Sequence, residues 1–200
     1  MCIYIIMKKT IVYIHGYKSK SKIFKSLDKI FNDKDYDRLF FDYSSNESLE
    51  SILIKLESFI KENSINKSEI TFICHSLGGL ILNKFLESTE LRINKIFYIS
   101  TPIKSNLKHI NKDFQKLSNQ SFNFKLSQNI FICSLLNQGQ LSSFESYKHL
   151  NPALELEDND GVLTISEMKV ESENFYTILG YDHFWILFSK DLKRVVQENI

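Results

Sequence analysis

A chain of 200 residues, 43% apolar and 24% charged, is long enough to bury one core and has the composition of a soluble globular domain. Its net charge of +1 rests almost wholly on lysine, with Arg38, Arg92 and Arg194 the only arginines. That leaves no electrostatic footprint for nucleic acid, which is usually read with Arg forks on a basic face. The cysteines Cys2, Cys74 and Cys133 lie far apart without a C-x-x-C, so a disulfide framework is not expected, a reducing compartment is favoured, and the cytoplasm is the expected location.

The chain opens on MCIYIIMKKT, an apolar hexamer ahead of its first lysine, which is the reverse of a secretory signal. Met7 is the expected start, with residues 1–6 a flexible or strand-extending tail. No segment approaches the length of a membrane span, so no integral membrane segment is expected.

Residues 10–15 (TIVYIH) read as a short buried strand ending at Gly16. Residues 21–31 carry Ile23, Phe24, Leu27, Ile30 and Phe31 at helical spacing. A strand follows at 38–42, then an amphipathic helix at 48–63 with Ser48 as its N-cap. Residues 70–74 predict the third strand and 77–88 the helix leaving it. Further strands are predicted at 96–99, stopped by Thr101-Pro102, at 129–135 and at 174–178. A last helix is predicted over 184–199, and 104–128 should be helical in part. Near-continuous apolar strands alternating with helices mean a mostly parallel sheet of about six strands with helices on both faces. We read residues 1–200 as a single α/β domain, with the polar stretch 138–157 a loop insertion and a candidate short lid.

Alanine occurs once and glycine six times, so each Gly is expected to meet a backbone need. Two of them follow Ser76 in TFICHSLGGLIL, residues 71–82, where a β-forming run meets a Ser and then an apolar helix. That is the pattern of a nucleophile elbow, G-x-S-x-G, with Cys74 at the first Gly and Gly78 at the last. A serine nucleophile needs a base, an acid to orient the base, and donors for an oxyanion. The donors are expected from the N–H of Leu77, at a helix N-terminus, and of Tyr17, in the loop after the first strand. Asp160, in the Asp-Gly turn before Val162-Leu163, is the better-placed acid, with Asp158 its competitor. His183 is the base, while His109 and His149 lie in polar surroundings. His75 adjoins Ser76 but points elsewhere, and Asp182 should diverge from its neighbour's imidazole. Ser76, Asp160 and His183 stand in the chain order Ser…Asp…His.

Through VYIHGY, CHSLGG, IFYISTP, DGVL and GYDHFWIL, spanning 10 to about 187, the chain resembles the α/β-hydrolase superfamily, most of all its small lidless lipases and esterases. The resemblance implies the α/β-hydrolase fold and an ester-cleaving serine hydrolase with Ser76, Asp160 and His183 as triad. It also implies Tyr17 and Leu77 as oxyanion hole, with His15, Gly16, Tyr17 and His75 against a small ester or acyl substrate. Cys74 departs from the usual Gly. Neither metal nor organic cofactor is expected. Thioester or amide hydrolysis by the same triad, an inactive binding module and a thiol enzyme using Cys74 are the alternatives. Tyr17, Phe144, Phe184 and Trp185 are candidates to line an acyl pocket, although Phe184, Trp185, Leu187 and Phe188 read more simply as the buried face of the last helix.

Overall fold

Runs of β-branched and aromatic residues form six strands: β1 (Lys9–Ile14), β2 (Tyr36–Phe41), β3 (Ile70–His75), β4 (Ile93–Ile99), β5 (Asn129–Leu135) and β6 (Phe175–Leu179). They are seen in a computed structural model that describes residues 9–63, 65, 69–104, 112–117, 128–137 and 151–200. The sheet order is β2-β1-β3-β4-β5-β6, and every pair is parallel. Parallel neighbours require crossovers, and the helices supply them.

Side chains alternate across each strand with period two, and the two sets enter separate cores. Val12, Ile14, Phe72, Cys74, Ile96, Tyr98, Phe131 and Cys133 pack on one face beneath α2 (Leu49–Glu62) and α3 (Leu77–Leu86). Ile11, Tyr13, Ile73, Phe97, Ile99, Ile130 and Ile132 pack on the other, with Phe24, Leu27 and Phe31. That second face is closed by the C-terminal helix through Leu192, Val195 and Val196. Both faces are covered, which is why the strands read as unbroken apolar runs. No helix among the described residues is long and apolar enough to cross a membrane.

The predicted helix at 21–31 is a 3₁₀ turn (Ser21–Phe24) continued by α1 (Lys25–Asp28). The stretch 104–128 is described only in part, where α4 (Lys112–Gln115) forms one turn. Residues 1–6, His109, Phe144, His149 and most of the proposed insertion, 138–150, lie outside the described residues.

The expectation of one last helix over 184–199 is corrected. A 3₁₀ turn (Trp185–Phe188) is separated from the C-terminal helix (Lys190–Asn199) by Ser189 in extended conformation. Each piece has its own start. Asp182 Oδ1 accepts from the N–H of Phe184 and Trp185, and Ser189 Oγ accepts from the N–H of Leu192 at 2.9 Å. The break rotates the aromatics outward. Ile186 and Leu187 are buried, whereas Phe184, Trp185 and Phe188 are 39%, 63% and 43% exposed. Those three do not form a buried face.

The chain runs from β1 outward to β2 and then returns past β1 to β3. The connection after β1 runs to one side of the sheet and that after β3 to the other, and such a switch point opens a crevice at the carboxyl ends of these two strands.

Candidate active site

Ser76 stands at this crevice, one residue past β3, with φ 52° and ψ −125°. A non-glycine residue held there stores about 1–3 kcal/mol of backbone strain. Two bonds hold it: its N–H donates to the Ile99 carbonyl at 2.9 Å, and its carbonyl accepts from Gly79 N–H at 3.1 Å. Its side chain is partly exposed, while its neighbours from His75 to Leu82 are buried.

Glycines make the turn possible by closeness. A Cβ on Gly78 would stand 2.4 Å from the Ile14 carbonyl oxygen and 2.6 Å from that of His15, so α3 rests on the backbone of β1's end. A Cβ on Gly16 would stand 2.9 Å from Ser76 Cβ, which puts the loop after β1 directly against the serine. Cys74 makes no such demand. Its side chain enters the core under α3, is fully buried, and has its thiol pushed up by desolvation. A nucleophilic role for that thiol is unsupported, since thiolate is the reactive form.

Asp160 and His183 are brought together. His183 Nδ1 donates to Asp160 Oδ2 at 2.6 Å, and His183 N–H donates to the Asp160 carbonyl at 2.8 Å. Asp160 Oδ1 accepts from the N–H of Val162 (3.0 Å) and Leu163 (2.7 Å). Both carboxylate oxygens are therefore occupied in a site closed to solvent. Gly161, at φ 89°, turns the chain so that the two amides fold back on the carboxylate. Asp158, the competitor, is exposed, and its carbonyl serves Ile165 N–H. Asp182 caps the 3₁₀ turn, its Oδ1 taken by the N–H groups of Phe184 and Trp185.

The Asp160 turn is anchored by residues the sequence reading passed over. Thr164 and Glu167 form a capping box at the start of α5 (Ile165–Met168), and Asn151 also donates to Glu167. Asn159 Oδ1 receives Gly161 N–H. The T-x-x-E of 164–167 was readable as that box. Replacing Thr164 by Val, which keeps the shape and removes the acceptor, should lower the unfolding free energy by about 1 kcal/mol in urea titration.

His15 and His75 lie beneath the floor of the crevice, fully buried, and their rings hold backbone. Tyr43 N–H donates to His15 Nε2 (3.2 Å), so the His15 proton sits on Nδ1 and goes to the Gly16 carbonyl (2.8 Å). Burial lowers the His15 pKa and keeps the ring neutral, so its 3.4 Å approach to the half-exposed Asp42 is not a formed ion pair. Tyr43 stacks on the ring at 4.2 Å, and its hydroxyl donates to the His15 carbonyl. In a trans peptide the N–H points opposite to the C=O. With the Gly16 carbonyl turned to His15, the Tyr17 N–H faces away from it. Neither the Tyr17 N–H nor the Leu77 N–H is taken up by a hydrogen bond among the described residues. Nothing in the sequence signalled the Tyr43 partnership.

His75 Nε2 lies 2.7 Å from the His183 carbonyl oxygen, and the two rings are 4.9 Å apart. Desolvation first, then the neighbouring His183, lowers the His75 pKa to about 3. No cluster of three or more His, Cys, Asp or Glu among the described residues is placed to hold a metal ion.

No protein-family model and no curated protein sequence matches the chain. Solved structures do match its fold over nearly its whole length. A lipase-esterase related protein from Clostridium acetobutylicum aligns with TM-score 0.57 at 15% identity, over 96% of this chain and 94% of that one. The ydeN product of B. subtilis gives 0.59 at 18%, over 96% and 98%. The lipase BlEst2 of Bacillus licheniformis gives 0.61 at 14%, over 96% and 91%. The six-stranded parallel sheet with helices on both faces is the α/β-hydrolase fold.

Proposed function

We propose that this protein is a serine hydrolase that cleaves carboxyl esters of small acyl substrates, with Ser76 as nucleophile, His183 as base and Asp160 as orienting acid. One observation carries the reading: a buried, doubly bonded Asp160–His183 pair is joined, through the bond between His75 and the His183 carbonyl, to the strand end that carries a serine held at positive φ. The lipases and esterases among the structural neighbours agree with it.

Because Nδ1 of His183 gives its proton to Asp160, Nε2 is the bare nitrogen in the neutral ring and is free to accept the Ser76 proton. The serine oxygen attacks the ester carbonyl, and the Tyr17 and Leu77 N–H groups receive the oxyanion. Leu77 opens α3, so the helix dipole adds to its donation. The imidazolium is stabilised by Asp160 and returns its proton to the leaving alcohol. Water then repeats the attack on the acyl-enzyme to release the acid. Phe184 and Trp185 follow His183 directly and are exposed, which supports an apolar acyl group over a charged one. Besides the ester and water, the whole sequence draws on side chains and amides of this chain.

Labelling with a fluorophosphonate tests the reading. One phosphonyl group per chain, mapped by mass spectrometry to Ser76, is the expected result. A folded protein that takes no label, or takes it elsewhere, overturns the proposal and favours a binding module on the same fold. Esters, thioesters and amides of graded chain length then rank the substrate classes, with esters expected first.

A further inference from the structure

The neutral ring of His75 has one described bond and one nitrogen without a partner, which is a costly way to fill a fully buried position. The His183 carbonyl can only accept, so His75 Nε2 carries the proton and donates it across 2.7 Å. Nδ1 is then a bare acceptor, and it has no partner among the described residues. An apolar side chain would fill the slot without that orphaned atom. The single bond that the ring does make ends on the residue carrying the proposed base.

We propose that His75 is a positioning residue for His183, tying the backbone of the proposed base to the strand that carries the proposed nucleophile. The inference rests on the serine hydrolase reading above. His183 is held to Asp160 by two bonds, from its ring and from its N–H, and both end on one residue. The turn that holds Asp160 is in turn tied to the end of β5, through Leu136 N–H and the Asn159 carbonyl at 2.8 Å, and not to the strand that carries Ser76. His75 adds a third from a different element, and it adjoins Ser76 in the chain. Motion of β3 therefore carries nucleophile and base together. Ser134, on β5, adds a weaker support by donating to the Asp182 carbonyl at 3.4 Å. Burial holds His75 uncharged, so it presents no competing positive charge while His183 takes a proton.

Three variants test the role. The amide nitrogen of Gln reaches where His Nε2 sits, whereas that of Asn reaches only to Nδ1. His75→Gln should keep the rate of Ser76 phosphonylation and kcat within about threefold of wild type. His75→Asn and His75→Phe should lose about 10²-fold, in kcat rather than in KM, as a displaced reacting group does. The downfield proton resonance of His183 Nδ1–H in the unliganded protein should persist in His75→Gln and broaden or shift in the other two. That signal needs no turnover, so it reports on positioning even where labelling of wild type fails and the hydrolase reading falls. If His75→Phe does not fold, the Gln and Asn variants decide alone. Equal kcat and an unchanged resonance in Gln and Asn would overturn the proposal, as would equal losses in both.

Discussion

Replacing Asp160 by Asn is expected to lower kcat for ester hydrolysis on the order of 10⁴-fold with little change in stability. The geometry dictates how the amide must sit. Two backbone N–H groups, from Val162 and Leu163, point at Oδ1, and only an acceptor satisfies them. The Asn oxygen therefore stays at that position, and its NH₂ takes the place of Oδ2 against His183 Nδ1. A donor there forces the imidazole proton onto Nε2, the nitrogen proposed to take the serine proton, which can then no longer accept. Ser76→Ala is expected to cost more, about 10⁶-fold, since the nucleophile itself is gone. The double variant should be no slower than Ser76→Ala alone, because the acid acts only through the serine's attack. Turnover of an activated aryl ester measures all three. A full additive loss in the double variant would show Asp160 acting by another route.

Gly78→Ala should produce the largest loss of stability of any glycine-to-alanine change among the described residues. Ala favours a helix by about 1 kcal/mol over Gly, so propensity alone predicts a gain. Against it stands a Cβ 2.4 Å from one backbone carbonyl oxygen and 2.6 Å from the next. The Ile14 oxygen cannot move without parting β1 from β3, with which Ile14 is in register at Cys74, and the His15 oxygen is held by the Tyr43 hydroxyl. Overpacking of this kind costs about 1–3 kcal/mol and more where backbone is the obstacle. A net loss of about 2–3 kcal/mol is expected, lowering Tm by roughly 5–10 °C in a chain of this size. Gly79→Ala is the control. Its nearest obstacles are buried side-chain atoms of Thr101 and Tyr98 rather than backbone, so it should lose less. Thermal unfolding by circular dichroism checks both, and a more stable Gly78→Ala would mean that α3 does not rest on β1.

The strands were legible because a two-sided parallel sheet writes itself as unbroken apolar runs, and all six predicted strands lie within two or three residues of the observed ones. The helix from Leu49 to Glu62 was equally plain, since Ser48 caps it as expected, accepting from Ser51 N–H. The end of the chain misled because Ile186, Leu187, Leu192, Val195 and Val196 continue a helical stripe straight through Ser189. A serine inside such a stripe looks tolerated, and only the backbone shows that it starts a new helix. Ser76, Asp160 and His183 could be nominated from turn chemistry and chain order. The work of His15 and His75 could not, because a histidine's role depends on which nitrogen is protonated. That follows from partners such as the Tyr43 amide and the His183 carbonyl, distant in sequence. Both were expected to meet substrate, and both instead face inward.

The nominated groups arrive along the chain at residues 15–17, 76, 160 and 183, and the partner of the last is a strand-end residue 108 positions earlier. No fragment released from the ribosome before residue 183 can contain the full set. Non-local contacts of this reach form late, after the loop entropy between them has been overcome. On the serine hydrolase reading, the nascent chain therefore holds no complete site until the segment with residue 183 has joined the sheet, and the fold sets its own delay between synthesis and reactivity.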